Sequence, residues 1–498
     1  MLVTLCEIFR SYFLEITVKT MLYFVVYCRT CEVFRKGLLI MEENETNNID
    51  SGLASEAFSR DSGHKKTVAV FTLGCKVNQY ESEAVSSLFE QNGYEIVSFE
   101  KNSDVYIINT CTVTNLSDRK SRQAIRKAKK NNPDSIIAVM GCYAQTSSEE
   151  VLKIPGVNLV IGTRDRNRLL EYVERLEAGE CKINAVDNIM ASRGFEELKV
   201  STYKERTRAY LKIQEGCSQF CSYCIIPYAR GPIRSRKPED ILSEVKDLSQ
   251  NGFSEIVLTG IHLASYGKEL KTTSLLDIIQ RINEIEGIQR IRLGSIEPTT
   301  ITEEFVGAAA AMPKLCPHYH LSLQSGCDRT LKAMNRKYTA DEYRQSVDLL
   351  KRHIPDVAIT TDIMVGFPGE TEEDFISSLE FAREMGFSKI HVFKYSPRKG
   401  TPAAEAADQI APEMKEERSE KMLSLSDSLE EQYLQQFVGR ELEVLYEQEL
   451  NEKKGFIEGL TKNYIRVAVE GSDDIKGKII NTKLKKITGN LFEGNILW

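Results

Sequence analysis

Gly216-Cys217-Ser218-Gln219-Phe220-Cys221-Ser222-Tyr223-Cys224 is the stretch of this 498-residue chain that says most about its fold and chemistry. It places three cysteines on one short loop in a CxxxCxxC spacing. Three thiolates can hold three irons of a 4Fe–4S cluster, and the fourth iron is then free to bind a substrate. A structural zinc site is the alternative, but such sites usually combine two CxxC pairs, and no second pair lies nearby. We therefore expect Cys217, Cys221 and Cys224 to be the ligands of a cluster that performs chemistry.

A strand-and-helix unit recurs about six times around this loop, from residue 210 to about residue 397. The predicted strands are 210–214, 255–259, 290–294, 318–323, 358–365 and 389–395. Six consecutive right-handed units curl into an open partial barrel. The cysteine loop follows the first strand, so it lies at the carboxyl mouth, where such folds keep their active sites.

Residues 67–173 also alternate between strand and helix patterns, which predicts a parallel sheet flanked by helices. Cys75, Cys111 and Cys142 each follow the end of a predicted strand. Because the carboxyl ends of parallel strands share one edge, these thiols should converge there. Each could be an inert buried cysteine, but the repeated position favours a second three-cysteine cluster.

The carboxyl-terminal residues 438–498 change to alternating strands with glycine turns, which predicts a small OB-like β-barrel. A charge-rich helix over 411–437 precedes it. The predicted fold class is α/β, with a parallel α/β domain, a (βα)6 partial barrel and a small β-barrel. The predicted boundaries are an extension over 1–65, the first domain over 66–175, the partial barrel with its trailing helix over 203–435, and the terminal barrel over 437–498.

The bulk composition is that of a soluble globular protein, with 42% hydrophobic and 28% charged residues and a net charge of −7. Twelve cysteines are too sparse for a disulfide scaffold, and their grouping suits metal chemistry in a reducing cytoplasm. In the apolar leader the longest uncharged run, 20–28, is too short to span a membrane. We interpret the leader as an over-extended reading frame that precedes a start at Met41; a membrane-surface or partner-binding helix is the alternative.

The CxxxCxxC run resembles the signature of radical S-adenosylmethionine (SAM) enzymes. The resemblance implies that the open iron chelates SAM, and that SAM is cleaved to methionine and a 5′-deoxyadenosyl radical. It also implies that Tyr223 lies against the adenine and that polar residues at the other strand ends surround SAM. The residues expected there are Thr259, Gly260, Ser295, Glu297, Gln324 and Asp362.

Three further motifs narrow the resemblance to the methylthiotransferases that act on threonylcarbamoyladenosine in tRNA. They are 74–82 (GCKVNQYES), 109–114 (NTCTVT) and 228–236 (YARGPIRSR). Residues 459–465 (GLTKNYI) are similar to the core of that family's terminal TRAM domain. The resemblance implies two 4Fe–4S clusters, held by Cys75, Cys111 and Cys142 and by the radical loop. It also implies 2-methylthiolation of the adenosine 3′ to the anticodon. The electrons are expected to come from a donor such as flavodoxin or ferredoxin. The protein is expected to be a monomer with no membrane partner.

The local charge fits an RNA partner, although the net charge does not. Residues 119–130 carry seven positive charges in twelve positions. The predicted phosphate contacts are Arg119, Lys120, Arg122, Arg126, Lys127, Lys130, Arg230, Arg234 and Arg236. A solvated basic helix face is the simpler alternative for the first group.

Three other functions stay open from the sequence. Two are in the same family: methylthiolation of isopentenyladenosine in tRNA and of an aspartate in a ribosomal protein. The third is a non-catalytic iron–sulfur protein that binds RNA and senses redox state, which would leave the strand-end polar residues without a role. Cys6, Cys28, Cys31, Cys181, Cys316 and Cys327 receive no predicted role.

Overall fold

The computed structural model describes residues 65–200, 207–451 and 453–497. The chain divides into the units Met1–His64 and Lys65–Trp498, and the described residues all belong to the second. The two interpretations of the leader fall on residues outside these ranges. Among the described residues, no helix has both the length and the apolar composition needed to cross a bilayer.

The first sheet is parallel and six-stranded. Its strands are β1 (Thr67–Thr72), β2 (Glu95–Val97), β3 (Val105–Thr110), β4 (Ile136–Gly141), β5 (Val157–Ile161) and β6 (Ile183–Ala185), and their order in space is β2-β1-β3-β4-β5-β6. Its helices are α1 (Lys76–Gln91), α2 (Asn115–Asn131), α3 (Cys142–Thr146), α4 (Ser148–Leu152) and α5 (Leu169–Glu177), with 3₁₀ turns at Arg166–Arg168 and Ile189–Ala191. The last strand lies beyond the predicted boundary at residue 175.

Strand β3 shows why this sheet is an inner layer, since all six of its residues are buried. Val105 and Ile107 pack in one hydrophobic cluster, while Tyr106 and Ile108 pack in another. Because successive side chains of a strand point to opposite faces, a continuous apolar run is what a sheet covered on both sides requires.

The central part is a partial barrel of six parallel strands with one short hairpin strand. The strands are β7 (Arg208–Glu215), β8 (Arg234–Ser235), β9 (Glu255–Gly260), β10 (Arg290–Leu293), β11 (His318–His320), β12 (Ala358–Val365) and β13 (Lys389–Lys394). Among these strands β8 pairs antiparallel to its neighbour, β7, and the isolated parallel bridges Ile291–Leu315 and Ile296–Leu321 link the segments around β10 and β11. The helices around it are α6 (Ile226–Arg230), α7 (Pro238–Gln250), α8 (Leu275–Asn283), α9 (Glu303–Ala311), α10 (Asp328–Ala333), α11 (Ala340–His353), α12 (Glu372–Met385), α13 (Pro402–Glu405) and α14 (Pro412–Gln435), with 3₁₀ turns at Leu263–Ser265 and Pro298–Thr300.

The barrel strands alternate between a mainly apolar outer face and a mainly polar inner face. On β7, Leu211 and Ile213 pack in the main core beneath the helices. Lys212 lies on the opposite side and is paired with Glu81 of α1 at 2.8 Å. The first domain therefore packs against the interior side of the barrel.

The last five strands form a closed barrel in the order β14-β15-β16-β18-β17, which confirms the predicted terminal β-barrel. They are β14 (Glu441–Glu449), β15 (Phe456–Thr461), β16 (Arg466–Glu470), β17 (Ile479–Thr488) and β18 (Leu491–Ile496), with a 3₁₀ turn at Asp473–Ile475. The predicted α/β fold class is confirmed with it.

The β15–β16 hairpin closes the amino ends of the partial-barrel strands. Arg290, the first residue of β10, donates to the Leu460 carbonyl oxygen at 3.0 Å. Arg292 donates to the Lys462 carbonyl oxygen at 2.9 Å. The Tyr464 ring stacks on His318 with centroids 4.4 Å apart. The terminal barrel thus packs directly against the amino ends of the partial-barrel strands.

Candidate active site

The loop with Cys217, Cys221 and Cys224 leaves the carboxyl end of β7 through a turn that requires glycine. Gly216 has φ 74°, and a Cβ there would lie 1.9 Å from the Pro232 carbonyl oxygen. The Cys217 amide donates to the Gly231 carbonyl oxygen at 3.0 Å, and the Cys224 amide to that of Cys221 at 2.9 Å. These bonds hold the three thiols on one compact loop.

A cavity of about 150 Å³ opens beside this loop. All three cysteines line it, together with four of the residues predicted to surround SAM: Tyr223, Ser295, Glu297 and Gln324. Strands β7, β10 and β11 deliver these side chains to one point because their carboxyl ends share the barrel mouth. Tyr223 also packs edge-on against Phe367 of the Gly366–Glu370 turn, with centroids 6.5 Å apart.

Two residues that the sequence reasoning missed hold the carboxylate in this cavity. His262 Nε2 lies 3.1 Å from Glu297 Oε2, and Arg336 donates to Glu297 Oε1 at 3.0 Å. Burial favours the neutral acid, but the bond from His262 and the charge of Arg336 outweigh it, so the pKa of Glu297 lies below its usual value. Arg336 also donates to Cys221 Sγ at 3.4 Å. Arg336 follows α10 rather than a strand, so no strand-end pattern could have found it.

The other three predicted SAM contacts lie elsewhere. The cavity wall after β9 is formed by Ile261 and His262, not by Thr259 and Gly260. Asp362 faces a second, larger cavity in the barrel and is paired there with His320 at 3.1 Å. None of these three residues lines the cavity beside the radical loop, and their contacts with SAM stay predictions.

Cys75, Cys111 and Cys142 lie where expected, after β1, β3 and β4: Cys111 and Cys142 come directly after their strands, and Cys75 comes three residues after the end of β1. Cys75 is exposed, whereas Cys111 and Cys142 are buried. Gly74 lets the first two approach, since a Cβ there would lie 3.0 Å from that of Cys111. The sheet thus brings three thiols that are far apart in sequence to one edge, and one of them stays open to solvent.

A buried arginine, Arg230, contacts both this second cysteine site and the end of β7, from which the radical loop leaves. Arg230 donates through Nε to Cys142 Sγ at 3.1 Å and through Nη1 to Glu81 at 2.5 Å. It also lies 3.2 Å from Glu215, the last residue of β7. Three cations and three carboxylates form the complete network: Arg166, Lys212, Arg230, Glu81, Glu196 and Glu215.

The prediction that Arg230, Arg234 and Arg236 contact RNA is wrong, because all three are buried. Arg234 donates to the carbonyl oxygens of Pro232 and Arg230. Arg236 is paired with Glu244 at 2.5 Å and Glu197 at 2.8 Å. Their donors are directed at the protein, which leaves no surface for a phosphate.

Helix α2 presents the other predicted RNA contacts. Thr114 caps its first turn through a hydrogen bond from the Ser117 amide, and Ala124, Ile125 and Ala128 bury one face. Arg119, Lys120, Arg126, Lys127 and Lys130 are exposed on the other side. Arg122 is half-buried over the Tyr143 ring, and Lys127 is paired with Glu100.

Both cysteine sites suit iron–sulfur clusters by their chemistry. Each offers three thiols and one arginine that donates to a sulfur, the kind of second-shell bond that tunes a cluster. Burial raises the pKa of Cys224 and of Cys142 to about 12, so both thiols are neutral until a metal displaces the proton.

Three cysteines without a predicted role also lie in the described ranges. Cys316 is buried, Cys181 is exposed, and Cys327 donates to Asp374 at 3.2 Å. Cys6, Cys28 and Cys31 lie outside these ranges.

Two known families match the chain, and each match contains one of the two cysteine sites. Residues 67–162 match the uncharacterized protein family UPF0004, and residues 211–382 match the radical SAM superfamily. The first match contains Cys75, Cys111 and Cys142, and the second contains the radical loop.

Several full-length relatives are close enough to define the family. The chain is 46% identical over 424 residues to the threonylcarbamoyladenosine tRNA methylthiotransferase MtaB of Bacillus subtilis, covering 84% of this chain and 94% of the relative. Identity to the MtaB of Aquifex aeolicus is 40%, covering 83% and 98%. Identity to the tRNA-2-methylthio-N(6)-dimethylallyladenosine synthase of Clostridium tetani is 37%, covering 90% and 99%.

A solved structure supports the fold independently. The radical SAM methyltransferase TsrM from Kitasatospora setae, with cobalamin and a [4Fe-4S] cluster bound, superposes with a TM-score of 0.51 at 16% identity. The match covers 68% of this chain and 77% of that one. At this identity the likeness concerns the arrangement of strands and helices.

Proposed function

The chain belongs to the radical SAM methylthiotransferase family, and we propose that it transfers a methylthio group to C2 of N6-threonylcarbamoyladenosine in tRNA. One observation carries the proposal: Arg230 contacts both Cys142 of one three-cysteine site and Glu215, the last residue of the strand that leads to the radical loop with the other three cysteines. A transfer that joins a carbon radical to a sulfur group needs two such centres side by side. Two relatives named for this activity are 46% and 40% identical to the chain, more than the 37% of the dimethylallyladenosine synthase of Clostridium tetani.

The family's cofactors are two 4Fe–4S clusters and SAM. Cys217, Cys221 and Cys224 would hold one cluster, and Cys75, Cys111 and Cys142 the other. When bound, these groups supply reductive cleavage of SAM and the sulfur that is transferred. The protein's part is to place SAM and the base, and to exclude water between the sites.

Glu297 is the residue we assign to SAM positioning at the radical loop. Its carboxylate stays ionised in a cavity that the three cysteines line, and Arg336 and His262 fix its orientation. A fixed carboxylate accepts hydrogen bonds from ammonium or hydroxyl groups, both of which SAM carries. Ser295 and Gln324 add polar atoms on the same wall.

The exposed side of α2 is the surface we assign to tRNA. Arg119, Lys120, Arg126 and Lys130 are exposed there, and α2 begins four residues after Cys111. Phosphate contacts at that place would fix the register of the RNA and bring one base to the interior. The alternative of a ribosomal protein as substrate gives this basic face no role.

The family resemblance carries four further assignments. They are a TRAM domain over the terminal barrel, a flavodoxin or ferredoxin as electron donor, a monomeric state and a cytoplasmic location. The closed five-strand barrel and its GLTKNYI hairpin support the first.

The test is mass spectrometry of tRNA nucleosides from a strain that lacks this gene, before and after complementation. Loss and return of 2-methylthio-threonylcarbamoyladenosine would support the proposal. Loss of the dimethylallyladenosine product instead would favour the second candidate, which the 37%-identical relatives suggest. The redox-sensor alternative requires that the purified protein form no 5′-deoxyadenosine from SAM under dithionite.

A further inference from the structure

A second cavity of about 560 Å³ lies inside the partial barrel, below the SAM pocket. Its volume is in the range of small-molecule sites, about 300–1,000 Å³. The wall is polar, with His318 and His320 from β11 and His391 from β13, and Tyr464 of the terminal barrel closes one side.

Two residues of the wall relate this cavity to the two cysteine sites. Ser295 lines both this cavity and the pocket of the radical loop. On the opposite side the wall contains Lys76, the residue after Cys75. A base held here would therefore lie between the two centres that must act on it.

Lys76 is the charged side chain of the wall that has no partner among the residues that the structure describes. Asp362 is paired with His320 at 3.1 Å, Lys389 with Glu430 at 2.5 Å, and Arg466 with Glu458 at 2.7 Å. Within residues 65–200, 207–451 and 453–497, no hydrogen bond or ion pair engages the Lys76 ammonium.

Two further cations lie near Lys76 at this end of the cavity: Arg208 is paired with Glu447, and Arg292 with Glu255, so Lys76 is the cation there whose charge no carboxylate of the described residues pairs. Burial would raise the pKa of Tyr464, yet Arg208, Lys76 and Arg292 hold it below its usual value. The pKa of His318 lies well below its usual value through burial and the same cations. An anionic group would compensate the charge of Lys76, and an apolar group would leave the ammonium unpaired at a cost.

We propose that this cavity receives the modified adenine and that Lys76 pairs with the carboxylate of its threonylcarbamoyl group. The inference rests on the proposed function and makes Lys76 a specificity-determining residue of that reaction. A dimethylallyl substituent has no carboxylate and could not compensate Lys76. The contact therefore accounts for a choice between two tRNA substrates that share the same adenine C2.

The experiment measures binding of two anticodon stem-loops to the purified holoprotein. One carries threonylcarbamoyladenosine, and the other carries its analogue with a primary amide in place of the carboxylate. The wild type should prefer the carboxylate roughly ten- to a hundredfold, the range for a hydrogen bond to a charged group. Lys76→Met should bind both equally, and Lys76→Arg should recover part of the preference.

The controls separate this contact from folding and from the proposed function. Lys153→Met, which removes an exposed lysine outside the cavity, should keep the full preference. If Lys76→Met does not fold, Lys76→Gln takes its place. A variant that keeps the wild-type preference would overturn the role of Lys76. A wild type that neither binds nor methylthiolates the threonylcarbamoyladenosine stem-loop would overturn the proposed function instead.

Discussion

Replacing Arg230 with Met should loosen helix α1 from the barrel. Arg230 is fully buried and is bonded to Glu81, to Glu215 and to Cys142 Sγ. Its loss leaves two cations against three carboxylates in the hydrogen-bonded network. Leaving a buried charge unpaired costs about 3–5 kcal/mol. We take the lower end, about 3 kcal/mol, because the buried Arg234 cation stays close by.

Hydrogen–deuterium exchange followed by mass spectrometry measures this effect locally. A loss of about 3 kcal/mol in the opening free energy should speed exchange of the α1 amides on the order of a hundredfold. Amides of β14 in the terminal barrel, which the network does not reach, provide the internal control. The double variant Arg230→Met with Glu81→Gln restores charge balance, so its effect should be smaller than the sum of the single effects. Less than a fivefold change in the α1 amides of the single variant would refute the reasoning.

Three other predictions follow from the sites. Cys221→Ala should abolish the formation of both 5′-deoxyadenosine and the methylthiolated product. Cys142→Ala should abolish only the methylthiolated product and leave some SAM cleavage. Full methylthiolation by Cys142→Ala would exclude a cluster at the second cysteine site. Changing Arg119, Arg126 and Lys130 to Gln should weaken tRNA binding and reduce the slope of log K against log salt by about two to three. The control is a matched triple change of Lys332, Arg352 and Arg383, which are exposed on the barrel helices. It should alter neither the affinity for tRNA nor the salt slope. The Asp374 carboxylate caps α12 and is paired with Arg329, whose hydrogen bond holds the pKa of Asp374 well below its usual range. Asp374→Asn should therefore cost about 1 kcal/mol at pH 7. The difference should shrink below about pH 4, where the carboxyl group of the unfolded chain binds a proton while that of the folded protein stays ionised. A difference in melting temperature that stays constant from pH 7 to pH 3 would contradict this assignment.

The sequence predicts features that depend on chain topology. Cys75, Cys111 and Cys142 were placed by one rule, that parallel strands end at a common edge, and the structure puts them there. The same rule located Ser295 and Gln324 at the barrel mouth. Asp362 fails the rule because β12 continues for three more residues, which puts its side chain about 10 Å below the strand end.

Burial and pairing of charges were beyond sequence reasoning. Arg230 and Arg126 are both basic residues in basic stretches, yet one is buried and the other exposed. What distinguishes them is a carboxylate, Glu81, that lies 149 positions away in the chain and arrives only when α1 packs on β7. Arg336 was missed because it follows helix α10 rather than a strand, and Lys76 because its place in the barrel cavity depends on how α1 packs on the barrel.

The hairpin that carries Tyr464 changes how truncation of this protein would be interpreted. Its backbone carbonyl groups accept hydrogen bonds from Arg290 and Arg292, two fully buried barrel side chains. Removing the terminal barrel would leave both guanidinium groups without these acceptors and admit bulk water at the amino end of the strands. A truncated protein would then be inactive even if its affinity for tRNA were unchanged. Loss of activity on truncation is accordingly no measure of how strongly the terminal barrel holds RNA.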